Sequence, residues 1–276
     1  MASQPQTAAS STPSALEQAL RRDRAVVIVA ILIIAAIAWA YTVYLAETGM
    51  GMSDDMGMGM AMADMRSWSA ADFGLMFVMW AVMMVAMMSP SAAPMLLMFA
   101  SLNRRRRERD APYVPTVIFL TGYVIVWTAF SAAATAGNWG LHQASLLSSM
   151  MGASTSGFLG GALLLAAGAF QWSPLKTACL KKCRTPMGFL MTSWREGHRG
   201  ALRMGLDHGA YCLGCCWALM LLLFVLGIMN LVWIAALAAF VLAEKVAPMS
   251  EWVSRGTGVL LAGWGVWAIV AAATQA

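Results

Sequence analysis

Sulfur is the chemical theme of this chain. Cys212, Cys215 and Cys216 fall within five residues, in the segment Asp207-His208-Gly209-Ala210-Tyr211-Cys212-Leu213-Gly214-Cys215-Cys216-Trp217. On a helix, His208, Cys212 and Cys215/Cys216 make one continuous stripe at i, i+4 and i+7/i+8. His208 then lies about 12 Å from Cys216 along the axis, so a single ion cannot bind both. Cys212 can share an ion with Cys215 or Cys216. A second pair, Cys179 and Cys183, stands in Ser173-Pro174-Leu175-Lys176-Thr177-Ala178-Cys179-Leu180-Lys181-Lys182-Cys183. Ser173 reads as an N-cap and Pro174 as the first helical residue, which puts both cysteines on one face. Lys176, Lys181 and Lys182 close by are expected to favour thiolate, the metal-binding form.

Methionine extends the theme. There are 24 in 276 residues. Met50, Met52, Met56, Met58, Met60, Met62 and Met65 are separated by Gly, Ala, Ser and Asp. Burial does not explain this string, because glycine disfavours a stable helix there. Thioethers bind Cu(I) or Ag(I) and discriminate against hard ions. The next apolar run carries Met76, Met79, Met83, Met84, Met87, Met88, Met95 and Met98. Met83/Met87 and Met84/Met88 are i, i+4 pairs. Two readings compete for this stripe: adaptable packing, and a Cu(I) relay fed by the string before it.

These residues need helices to position them. The chain is 60% hydrophobic and 11% charged, where a soluble domain carries roughly 25% charge. That excludes an ordinary soluble enzyme and predicts an all-α, polytopic transmembrane helical bundle. Apolar runs at 25–46, 73–102, 115–137, 157–173, 206–228, 231–247 and 256–273 predict about seven spans. Residues 1–20 read as a disordered cytoplasmic tail, and 21–276 as one membrane domain. That domain has a Met-rich outer loop at 47–71 and an inner Cys-containing loop at 174–204. With the N-terminus inside and the C-terminus outside, 17 of the 18 Lys and Arg face the cytoplasm, and Arg66 alone lies outside. The positive-inside rule selects this orientation; a bacterial inner membrane is the expected location. Basic residues confined to loops give no nucleic-acid signal.

Pro90 and Pro94 kink the second run. Glu244, in the sixth, is a functional candidate by its depth. It reads either as an ion pair, with Arg203 or His208, or as a ligand. Lys245 beside it is expected to snorkel to the surface. His142 reads as interfacial and His198 as a solvated loop residue.

Three groups of residues together resemble a known bacterial family. They are Met83-Met84 with Met87-Met88-Ser89-Pro90 and Pro94-Met95; Lys176, Cys179 and Cys183; and His208-Gly209, Tyr211-Cys212 and Gly214-Cys215-Cys216-Trp217. The family comprises predicted metal-binding integral membrane proteins, long a domain of unknown function. It includes the membrane copper chaperone associated with polyphenol oxidase. The resemblance spans about 70–272 and implies copper delivery.

The expected function is a copper chaperone or carrier. It takes up Cu(I) through Met50, Met52, Met56, Met58, Met60 and Met62. It holds the ion at Met83, Met84, Met87, Met88, Cys179, Cys183, His208, Cys212, Cys215 and Cys216, with Glu244 as a further candidate. Partners are the bilayer and a cuproprotein client, with a homo-oligomer or membrane complex left open. The rivals are a copper permease, a membrane thiol-redox or copper-dependent enzyme, and a structural subunit. The copper-enzyme reading is weakened by three widely separated histidines.

Overall fold

The structure is a computed structural model describing residues 15–51, 69–107, 114–146, 156–247 and 250–275. Among the described residues there are helices and no strands. The chain begins with α1 (Ala15–Gly51), α2 (Ala70–Arg107), α3 (Thr116–Gln143) and α4 (Gly157–Phe170). The short α5 (Pro174–Arg184) and α6 (Pro186–Ser193) follow, then the central α7 (Gly197–Met220), the single turn α8 (Leu223–Leu226), α9 (Leu231–Val246) and α10 (Ser250–Gln275). α1 starts at Ala15, inside the stretch read as a tail.

Five stretches are long and apolar enough to cross a membrane: Ala25–Glu47, Ala70–Arg106, Thr116–Gln143, Gly197–Leu226 and Glu251–Thr274. A sixth is counted if α4 and α5 form one broken span. About seven spans were expected; the helices in two of those stretches are shorter than a membrane crossing. α4 has 14 residues, about 21 Å at the helical rise, against a hydrocarbon core of ~30 Å. The chain then bends by 63° into α5. The start of α5 is written locally: the Ser173 hydroxyl accepts from Leu175 N and Pro174 takes the first helical position. α9 has 16 residues. Its start is fixed by Asn230, whose side chain accepts from Val232 N and Trp233 N, after Gly227 reverses the chain at φ 92°.

Two helix pairs approach closely. α3 and α7 run parallel and meet at Gly122 and Gly205. A Cβ on Gly205 would lie 2.0 Å from the Phe119 carbonyl oxygen, and one on Gly122 2.3 Å from that of Leu202. α4 and α10 pack antiparallel through Gly161, Gly168, Gly258 and Gly265. α2 packs against α1 and α3. The buried core runs through α2, α3, α5, α7 and α9 and contains both the methionines and the cysteines. The ends of α2 and α7 that carry 104–107 and 195–203 lie together, joined by an Arg106–Glu196 ion pair of 3.1 Å. This is the basic end of the bundle.

Candidate metal centre

α2 turns its methionines inward. Met83, Met84, Met87, Met88 and Met95 are fully buried, and Met79 nearly so. Pro90 and Pro94 lie inside this helix. Lacking N–H groups, they leave the Ala86 and Pro90 carbonyls without their helical donors. Next to this break the Met88 carbonyl accepts two side-chain hydroxyls, Ser91 Oγ at 2.9 Å and Tyr123 Oη at 3.1 Å. Further along α2, Asn138 Nδ2 donates to Met76 Sδ at 3.7 Å. Met76 therefore faces α3 near 138, and Met88 faces it near 123. The antiparallel register puts the methionine row along α3.

The cysteines converge. α5 packs against α7, and the spacing that puts Cys179 and Cys183 on one face points both into that contact, where they are buried. Cys183 and Cys216 each lie within interaction range of Cys212 and Cys215. Cys179 Sγ would lie 2.7 Å from a Cβ on Gly214, so a side chain at 214 would have to displace that sulfur. The two sequence clusters thus share one place. All five cysteines are free.

Cys212 is the centre of a polar network. Tyr123 Oη lies 3.1 Å from its sulfur. Lys245 Nζ donates to the same sulfur at 2.9 Å and to Ser91 Oγ at 2.8 Å. The Cys215 and Cys216 thiols donate to the Cys212 carbonyl at 3.1 and 2.9 Å. Tyr123 and the Lys245–Ser91 contact therefore link the thiol cluster to the methionine helix. Lys245 was expected to snorkel; instead it is buried and turned inward. The lysines expected to flank the thiols do not do so. Lys181 and Lys182 are exposed, and Lys176 is engaged elsewhere.

That engagement concerns Glu244. Its carboxylate accepts from Lys176 Nζ at 2.7 and 2.9 Å and from Ser254 Oγ at 2.5 Å. Lys176 also donates to Gln171 Oε1. Of the two alternatives for Glu244, the structure contains the ion pair, with Lys176 in place of Arg203 or His208. The pair ties α5 to α9, and Ser254 joins α10.

His208 is buried in an aromatic cage, with ring centroids of Tyr123, Phe189 and Phe119 at 5.6, 5.8 and 6.0 Å. Its Nδ1 has no hydrogen-bond partner among the described residues. Met50 stands at the end of α1. Met52, Met56, Met58, Met60 and Met62 lie outside the described residues.

Sequence reasoning missed Lys245, Tyr123 and Ser91. For Lys245 a signal existed, since a charge in an apolar helix is a functional candidate by default. Tyr123 and Ser91 gave none.

Among the described residues, no three His, Cys, Asp or Glu side chains stand arranged to hold a metal ion. The donors that do come together are thiols, with thioethers in the same core, the classes that select Cu(I). No curated protein and no solved structure matches the chain. A family model, PpoB2, described as a copper chaperone, matches residues 77–268. This stretch holds the methionine helix from Met79 onward, the five cysteines, His208 and Lys245. The chain belongs to the PpoB2 copper-chaperone family, so it handles copper and serves a cuproprotein partner.

Proposed function

We propose that this chain is a membrane copper carrier that takes Cu(I) from the outer side and holds it on sulfur for a client. The loop at 47–71, with Met50, Met52, Met56, Met58, Met60 and Met62, makes the first capture. The row from Met76 through Met83, Met84, Met87 and Met88 passes the ion inward. Cys179, Cys183, Cys212, Cys215 and Cys216 hold it, and a cuproprotein takes it by ligand exchange.

One observation carries this reading. Five cysteines from two helices gather in the same buried core as the fully buried methionines of α2, in a member of a copper-chaperone family. Thioethers bear no proton and no charge, so a row of them lines a passage without the cost of a buried ion. The family also favours a non-enzymatic role.

In this reading the basic end faces the cytoplasm of a bacterial inner membrane, as the positive-inside rule requires. The N-terminus is inside. α9 returns from the far end of α7 to Cys212, and counting it as a crossing places the C-terminus outside.

The test is metal analysis of detergent-purified protein kept anaerobic and exposed to cuprous salt. Wild type should retain copper. A Cys212→Ser, Cys215→Ser, Cys216→Ser variant should lose it. Met→Leu changes at 50, 52, 56, 58, 60 and 62 should lower uptake without unfolding the bundle. A wild-type protein that emerges empty ends the reading.

A further inference from the structure

The thiol cluster is the middle of a longer row on α7. Met204, His208, Cys212, Cys216 and Met220 follow one another at steps of four residues, and each is at most 2% exposed. Four residues rise about 6 Å, so neighbours meet along one slowly turning face. Every member carries a sulfur or an imidazole nitrogen, donors that suit copper. Cys212 and Cys216 belong to the cluster. Met204 and His208 lie beyond it, toward the basic end.

Two independent observations single out this pair. His208 Nδ1 is buried without a hydrogen-bond partner, although buried polar atoms almost always have one. Second, a narrow pocket opens at the basic end and reaches Met204. Its interior of ≈ 10 Å³ is no larger than about one water. Arg106 closes the mouth: it pairs with Glu196 at 3.1 Å and lies 4.6 Å over the Trp194 ring. Trp194 in turn stacks on Phe99 at 5.7 Å. Exposed ion pairs contribute little to stability, so removing Arg106 is expected to leave the fold intact.

We propose that Met204 and His208 form a Cu(I) waypoint, through which copper leaves the thiol cluster at the basic end, and that Arg106, Trp194 and Glu196 cover its exit. The proposal rests on the carrier reading above. The step is ligand exchange. The bond from copper to Cys212 sulfur breaks as bonds to His208 nitrogen and Met204 sulfur form, and these then break in favour of the acceptor's donor atom. Copper stays monovalent and no electron moves. The Cys212 sulfur remains with its hydrogen bond from Lys245.

The experiment loads full-length, anaerobic protein with Cu(I) and follows transfer to bathocuproine disulfonate by stopped-flow absorbance. Met204→Leu keeps the side-chain volume, so copper loading should match wild type. Transfer should slow by at least the roughly tenfold that even an outer partner of a metal site commands. Met204→Cys, which keeps a soft sulfur, should restore most of the rate, and Arg106→Ala should raise it above wild type. Equal slowing by Leu and Cys would mean that Met204 acts by packing, and would overturn the waypoint. So would an unchanged rate in Met204→Leu, or slowing by Met76→Leu at the opposite end in its place. If Met204→Leu does not fold, an Arg106→Ala rate no faster than wild type overturns the exit. A wild type that takes no copper defeats the carrier reading itself; a loaded wild type with an unaffected Met204→Leu defeats only the waypoint.

Discussion

The two sulfur-rich regions of this molecule are built differently. The thioethers of α2 lie in an apolar core, where Met83, Met84, Met87 and Met88 pack among aromatic and aliphatic side chains. The thiols of α5 and α7 lie in a polar network: Lys245 and Tyr123 reach Cys212 Sγ, and Cys215 and Cys216 donate to the Cys212 carbonyl. A buried ion pair, Lys176–Glu244, braces the same region. The difference follows from the donor atoms. A thioether is a weak acceptor with no proton to place, so burial alone satisfies it. A thiol has a proton to place, and several of them together require defined partners. The methionine region should therefore tolerate repacking, and the cysteine region should not.

The strongest challenge to this contrast is Lys176→Met. It strands the Glu244 carboxylate, and breaking a buried pair from one side costs about 3–5 kcal/mol. Thermal unfolding in detergent should show a large drop, and the double change Lys176→Met, Glu244→Leu should recover much of it. A drop no larger than that of a surface substitution would mean that the brace is idle.

Lys245→Met comes next. It removes a donor from both Ser91 and Cys212, and an unsatisfied buried polar group costs about 1–3 kcal/mol. The same unfolding measurement should place it below Lys176→Met and above any methionine change.

Met84→Leu should have the smallest effect on stability, within about 1.5 kcal/mol, because the swap nearly conserves volume. Its effect should appear in Cu(I) uptake when Met83, Met84, Met87 and Met88 are all changed to Leu. If that variant folds with a much lower melting temperature and still binds copper normally, the methionines are packing residues and the contrast fails.

Much of this arrangement was legible from local rules. Ser173 and Pro174 announced α5, and its i, i+4 spacing faced Cys179 and Cys183 together. Gly214 stands between Cys212 and Cys215, and it is where Cys179 fits. Other features were not legible. The apolar run from 157 does not show that the helix ends at Phe170, because the 63° turn depends on how α5 docks on α7 and α9. Lys245 reads as a snorkelling residue near a helix end. The rotation of α9 decides whether its stem points to lipid or to Cys212, and packing against α2 and α7 sets that rotation. Glu244 illustrates the same limit: its partner, Lys176, is 68 residues away and on another helix.

Composition and periodicity alone determined that this chain is helical, apolar and rich in soft donors, because those properties belong to single residues and to the repeat of one helix. Only the tertiary structure decided that a cysteine pair and a cysteine trio separated in sequence share one place and that a lysine enters it. These are distances between helices. They depend on which faces pack and how closely, and at Gly122 and Gly205 the missing side chains let α3 and α7 come near enough to bring Tyr123 to Cys212.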